Sequence, residues 1–342
     1  MPRKKMFYSI YVFSIMFAAS VLSIRCPVNS NEKDTIQQMP QKALNDKELM
    51  GKYRDLCTEL ELTTVIEGIE GYSQEGILYK KEYSDIFDCW TAEITGAVDM
   101  KLDLQTGHLL KIFNSLILNK IYGDNSLKDP YEGKPKMDKE QVVEKVEKYI
   151  RIIEGEQKYK TKLIEVIFSK QGNLRGNWIL RWKRYHDKYM YYEDRIELDL
   201  NETYGIVTYA NHCISDIPSP VEVKIFEEEA HEKAIEFANN LISSKKIFSG
   251  AGVSFKKWFR DFIIGSVISS ELLIVNPNYL LTDKSTYMAS NRIRKANLAW
   301  AVTVEAKYIG KTGPKGETLG NKKILVWIDA ATGEILGGDF TL

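Results

Sequence analysis

Three stretches of the chain alternate apolar with polar residues and open on tryptophan: Trp90-Thr91-Ala92-Glu93-Ile94, Trp178-Ile179-Leu180-Arg181-Trp182 and Trp300-Ala301-Val302-Thr303-Val304. That period of two is the pattern of a strand with one buried face. Each is followed by a turn signature. The first is Leu102-Asp103-Leu104-Gln105-Thr106-Gly107-His108-Leu109 and the third is Ile328-Asp329-Ala330-Ala331-Thr332-Gly333-Glu334-Ile335. The middle copy, Leu198-Asp199-Leu200-Asn201-Glu202-Thr203-Tyr204-Gly205-Ile206, reads as one residue longer. An Asp that bonds backbone amides and a Gly that accepts positive φ make a tight hairpin between antiparallel strands.

A helix pattern precedes each set of strands. Asn45 and Glu48 form a capping box ahead of Leu49, Tyr53, Leu56 and Leu60. Asp138 and Gln141 repeat the box ahead of Val142, Val146, Tyr149, Ile150 and Ile153. Glu227 to Glu229 suit the positive end of a third helix, striped by Ala230, Ala234, Phe237, Ala238 and Leu241. The predicted fold class is α+β, in tandem modules that each pack a helix on an antiparallel sheet. The modules span 44–123, 137–214 and 221–342, the last with an insertion at about 245–295.

Trp300 to Val304 followed by Ile328-Asp329-Ala330-Ala331-Thr332-Gly333-Glu334-Ile335-Leu336 resembles the PepSY family. The first two modules match it more loosely, with Leu102-Asp103-Leu104 and Leu198-Asp199-Leu200. The resemblance implies a PepSY/cystatin-like fold. It also implies a role in binding or restraining peptidases outside the cytoplasm, as in propeptides of thermolysin-like metalloproteases, with no catalytic residues to carry over.

Arg3-Lys4-Lys5 before the uncharged run Met6 to Ile24 reads as an export signal or an uncleaved membrane anchor over 1–25. A polar linker covers 26–43. Localisation is then extracytoplasmic, either secreted or held by one N-terminal hydrophobic helix. Lys plus Arg and Asp plus Glu both total 47 in 342 residues, and four of the basic residues lie in the first 25. Without a concentrated basic surface, nucleic acid is excluded as a partner.

Candidate chemistry fails motif by motif. His231-Glu232-Lys233-Ala234 meets Ile235 where a zinc motif needs a second His, and Gly310-Lys311-Thr312 lacks the earlier Gly of a phosphate loop. His212-Cys213 has no companion at ligand spacing, and no Gly-x-Ser-x-Gly elbow occurs. The reading is of no catalytic residue, no metal and no cofactor. Cys57 beside the first helix's stripe and Cys89 before Trp90 are read either as a disulfide or as two buried thiols.

Two stretches are candidate partner surfaces. One is the hairpin bearing Trp178, Trp182 and Tyr191 among Arg181, Lys183 and Arg184. The other is a helical stripe, Phe255, Trp258, Phe259, Phe262 and Ile263. For both, ordinary core packing is the stronger reading. The expected function is a non-catalytic protein that binds or restrains a polypeptide partner, an exported peptidase being the first choice. The alternative is a membrane-tethered structural or envelope-assembly protein.

Overall fold

The computed structural model describes residues 39–62, 76–84, 87, 89–96, 98–114, 117, 134–154, 160–169, 176–202, 204–213, 215, 218, 222–244, 247–248, 253–254, 256, 259–278, 296–310 and 320–341. Three helices are seen among them: α1 (Asp46–Glu59), α2 (Lys139–Glu154) and α3 (Glu227–Ser243). After α1 come β1 (Ile77–Ser84), β2 (Cys89–Thr95), β3 (Asp99–Asp103) and β4 (Leu109–Phe113). After α2 come β5 (Lys160–Ser169), β6 (Asn177–His186), β7 (Tyr189–Asn201) and β8 (Gly205–Asn211). After α3 come a short pair, β9 (Ile247–Phe248) and β10 (Val253–Ser254). The chain ends with β11 (Phe262–Val275), β12 (Asn297–Tyr308), β13 (Lys322–Asp329) and β14 (Ile335–Thr341).

Separate modules, each with its own sheet, are not what forms. All strands but β9 and β10 join one twelve-stranded mixed sheet. Two seams fuse it. β4 pairs antiparallel with β8 through Lys111↔Ala210, Ile112↔Tyr209 and Phe113↔Thr208. β7 pairs parallel with β11 through Met190↔Leu273 and Tyr191↔Ile274. An isolated four-stranded sheet leaves two rows of unpaired backbone groups, and joining edge to edge satisfies them. β7 is the spine: β6 runs along one side, while β8 and β11 meet the other side end to end.

The helices cover the sheet by two different solutions. α1 is capped as its sequence dictates, with Asn45 Oδ1 accepting from Glu48 N at 3.0 Å and Asn45 N donating to Glu48 Oε2 at 2.8 Å. Asp138 and Gln141 make the same reciprocal pair ahead of α2. Leu49, Tyr53 and Cys57 of α1 share one core with Val142, Val146, Tyr149, Ile150 and Ile153 of α2. Each large side chain so enclosed contributes about 1.5–3 kcal/mol. α3 instead presents Ala230, Ala234 and Ala238, whose small side chains bring its backbone close to β12 and β13 over Val302, Val304, Ile324 and Val326.

The range 245–295, read from the sequence as an insertion, contains β11, the first strand of the third set and the counterpart of β1 and β5. Phe262 and Ile263, read as part of a helical stripe, begin that strand. The β-branched run Ile263-Ile264 with Val267-Ile268 suits a pleated surface better than a helix. The expected transmembrane helix is corrected too. No helix among the described residues is long and apolar enough to cross a membrane. Residues 1–25, on which that expectation and the export signal rest, lie outside the described residues.

Candidate functional site

The aromatic residues expected to grip a partner are core residues. Trp178, Trp182, Tyr191 and Phe259 are between 1% and 6% exposed. Phe255 and Trp258 lie outside the described residues. The cations among them are also engaged. Arg181 pairs with Glu165 and with Glu197 (3.0 Å), Arg184 with Asp194 (2.7 Å), and Lys183 donates to the Tyr192 carbonyl oxygen. The Trp178–Tyr192 hairpin is thus consumed by the fold.

Cys57 and Cys89 are free thiols, as is Cys213. Burial pushes the Cys57 thiol up to about 11 and the Cys89 thiol up to about 12, a direction opposite to that of a reactive nucleophile.

His231 takes part in a different cluster from the zinc motif it approaches. Its Nε2 lies 2.9 Å from Ser270 Oγ on β11, and that hydroxyl donates to Glu227, one turn before His231 on α3. The Ser270 proton is directed at Glu227 rather than at the imidazole, so the order of bonds differs from that of a serine hydrolase, where His takes the proton and a carboxylate orients the far ring nitrogen. No group of His, Cys, Asp and Glu suited to a metal is found among the described residues.

What remains for recognition is the sheet's edges, and they are not alike. β1 and β5 end the sheet, each with a β-bulge (Leu78/Lys80 and Leu163/Glu165) and each with lysines: Lys80 and Lys81, Lys160 and Lys162. Bulges and lysines are the usual means of blunting an edge. On β14, the Asn278 side chain donates to Gly338 O at 2.9 Å and accepts from Gly338 N at 3.1 Å, standing in for a neighbouring strand.

β11 is different. It is paired along its length with β12, yet on its other side β7 reaches only Leu273 and Ile274. From Phe262 to Leu272 no strand pairs with that edge among the described residues. The stretch Phe262-Ile263-Ile264-Gly265-Ser266-Val267-Ile268-Ser269-Ser270 holds no charged residue. Ile263 and Ile268 are each 47% exposed. Phe262, Ile264 and Val267 turn instead to the α3 core. Of the residues singled out from the sequence, only Phe262 and Ile263 belong to this edge. The signal that would have exposed it is the uncharged, β-branched run ending in Glu271, which a helical period obscures.

No family model matches the chain, and the PepSY resemblance finds no support there. No curated protein matches it. Among solved structures, an uncharacterized protein from Eubacterium rectale is similar over 85% of this chain and 82% of that one, at 12% identity and a TM-score of 0.38.

Proposed function

We propose that this chain is a non-catalytic binding protein that takes an extended polypeptide segment onto the open edge of β11. One observation carries the reading: an uncharged stretch of edge strand, Phe262 to Ser270, with Ile263 and Ile268 exposed on it. A segment added there gains main-chain hydrogen bonds, while alternate side chains meet the exposed isoleucines on one face and the α3 side on the other. A fluorescein-labelled decapeptide alternating Val and Thr tests it by anisotropy and hydrogen exchange. Saturable binding with slowed amide exchange over 263–271 is expected, as is roughly tenfold weaker binding in Ile268→Lys, since loss of one well-packed anchor removes at least that much. Unchanged exchange along β11 would refute the reading.

A further inference from the structure

β11 shifts register against β12 between Ile264 and Val267, and the shift changes which of its side chains share a face. Ile263 and Ile268 stand an odd number of residues apart, which in an unbroken strand sends them to opposite faces. Ile264 pairs with Ala306 and Val267 with Val304, so β11 has one residue more than β12 between these pairs. Ile264 and Val267 therefore both turn to the α3 core, while Ile263 and Ile268 turn away from it, each 47% exposed. The bulge makes the strand self-complementary. Reversed upon itself about a point between Gly265 and Ser266, it sets Ile263 opposite Ile268 on the outer face and Ile264 opposite Val267 on the α3 face. Each copy brings the same extra residue, so the two strands stay in step across the axis.

A second copy presents the same charges as the first, and like charges directly opposed are destabilising. Phe262 to Ser270 has none to oppose. Charged side chains flanking it are engaged within the chain. Lys307 lies 3.6 Å from Glu305, Glu227 lies 3.6 Å from His231 and accepts from Ser270, and Lys322 sits 5.1 Å over the Phe262 ring. The fold already joins two sets of strands edge to edge. β4 and β8 pair antiparallel, with α1 and α2 sharing one core that includes Ile112 and Tyr209 of that seam. We infer, resting on strand addition at β11, that the added strand is β11 of a second copy, paired antiparallel about a two-fold axis between Gly265 and Ser266. Such pairing closes on itself, so it gives a dimer and not a filament. The sheet then runs from one copy into the other, and a foreign segment binds by displacing the second copy.

The test is sedimentation equilibrium of the full chain from about 1 to 300 µM, the range in which a small interface associates, with hydrogen exchange measured at both extremes. A monomer–dimer equilibrium is expected, with amide exchange over 262–270 slower at the high concentration. Ile263→Lys and Ile268→Glu should each weaken the dimer roughly tenfold or more, because each removes an apolar anchor from the seam. Mixed together, the two variants should associate more tightly than either alone. The introduced charges then face each other, while the remaining Ile263 and Ile268 still meet. Both positions are half exposed, and circular dichroism with the thermal midpoint confirms that the variants fold. A monomer at every concentration that still binds the Val-Thr decapeptide overturns the second copy and leaves strand addition standing. A monomer that binds no peptide overturns both. A dimer that neither variant weakens lies on another surface and overturns the inference, as do polymers beyond the dimer.

Discussion

Arg184 donates from Nη1 to Asp194 Oδ2 at 2.7 Å, with both side chains enclosed by protein. The same nitrogen reaches the Ser215 carbonyl oxygen at 2.6 Å, and the guanidinium lies 4.3 Å from the centre of the Tyr191 ring. Asp194 accepts in turn from Ser215 N at 3.1 Å and from its hydroxyl. Asn276, just after β11, donates to Ser215 Oγ at 2.7 Å and to Glu193 Oε2 at 3.0 Å. This chain of polar groups sits where β8 and β11 abut β7. It locks the third set of strands to the second where only two residue pairs join them.

An enclosed ion pair adds little net stability over apolar residues of equal shape, but losing one partner strands the other. Asp194→Ala is therefore expected to lose about 3–5 kcal/mol in urea unfolding. The double variant Arg184→Met, Asp194→Leu should recover much of that loss. If it unfolds as readily as the single variant, the pair is needed for more than charge compensation.

The hairpin turns separate what the residues disclose from what they conceal. Asp103 Oδ1 accepts from Gln105 N and Thr106 N at 2.8 and 2.7 Å, and Asp329 Oδ1 accepts from Ala331 N and Thr332 N at 2.9 and 2.8 Å. Gly107 and Gly333 have φ of 70° and 73°. These two turns are copies, as their sequences indicate. In the middle hairpin, however, Asn201 and not Asp199 anchors the turn, with Tyr204 N donating to Asn201 Oδ1 at 3.1 Å and Gly205 at φ 87°. Asn201 stands four residues before Gly205, as Asp103 stands before Gly107. The middle copy looks longer only when Asp is aligned with Asp. Asp103→Ala and Asp329→Ala should each lose about 1–2 kcal/mol, the usual penalty for removing a side chain that satisfies turn or cap amides. Asn201→Ala should lose more than Asp199→Ala at neutral pH, measured by thermal unfolding.

Asp199 has a different role and a different pH signature. It faces Thr208 across the β7–β8 pair, and burial raises its carboxyl above the ordinary 3.8, against the lowering effect of the Thr208 hydrogen bond. The folded chain thus holds this proton more tightly than the unfolded chain does. The stabilisation is fully present below the unfolded value and is lost as pH rises through the folded one. Asp199→Asn removes the ionisation penalty. Its thermal midpoint should exceed the parent's at about pH 7 and coincide with it near pH 3; a lower midpoint at pH 7 would contradict this assignment.

The free thiols give a chemical check on the first set of strands. With Cys57 and Cys89 held near 11 and 12, little thiolate exists at pH 8. Peptide mapping after iodoacetamide treatment should show both alkylated far more slowly in the native chain than in urea. Recovery of a peptide pair linked through Cys57 and Cys89 under non-reducing conditions would show that the bridge forms.

Helix stripes, caps and alternating strands are legible because each is written in residues a few positions apart. The sheet seams are not. Lys111 to Phe113 and Thr208 to Ala210 carry no mark that they pair, since β-pairing over about a hundred residues depends on which edges remain open once local sets have formed. The candidate site shares that cause. An edge is open only through what fails to lie beside it, and the aromatics that attract attention in the sequence are the ones the core absorbs.

The three tryptophans show the same division, and their differences can be measured. Trp178 pairs with Leu200 and Trp300 with Ile328, each directly before a turn anchor, Asn201 or Asp329. Trp90 does not: Thr91 pairs with Asp103, and Ala92, opposite Leu102, occupies the equivalent place. Trp178 Nε1 donates to Glu202 Oε1 at 2.8 Å, and Trp300 Nε1 donates to Ile225 O at 2.8 Å. Trp90 Nε1 is buried without a partner. Replacement by Phe removes an indole donor in every case. At Trp178 it also strips a partner from Glu202, which receives Lys136 N and Met137 N at the entry to α2. At Trp90 it removes a donor that burial already penalises. Trp90→Phe should therefore lose about 1 kcal/mol less stability than Trp178→Phe or Trp300→Phe in urea unfolding, the net worth of one satisfied hydrogen bond. Equal losses at all three would mean that their surroundings are alike, and that the offset of Trp90 from the other two has no energetic consequence.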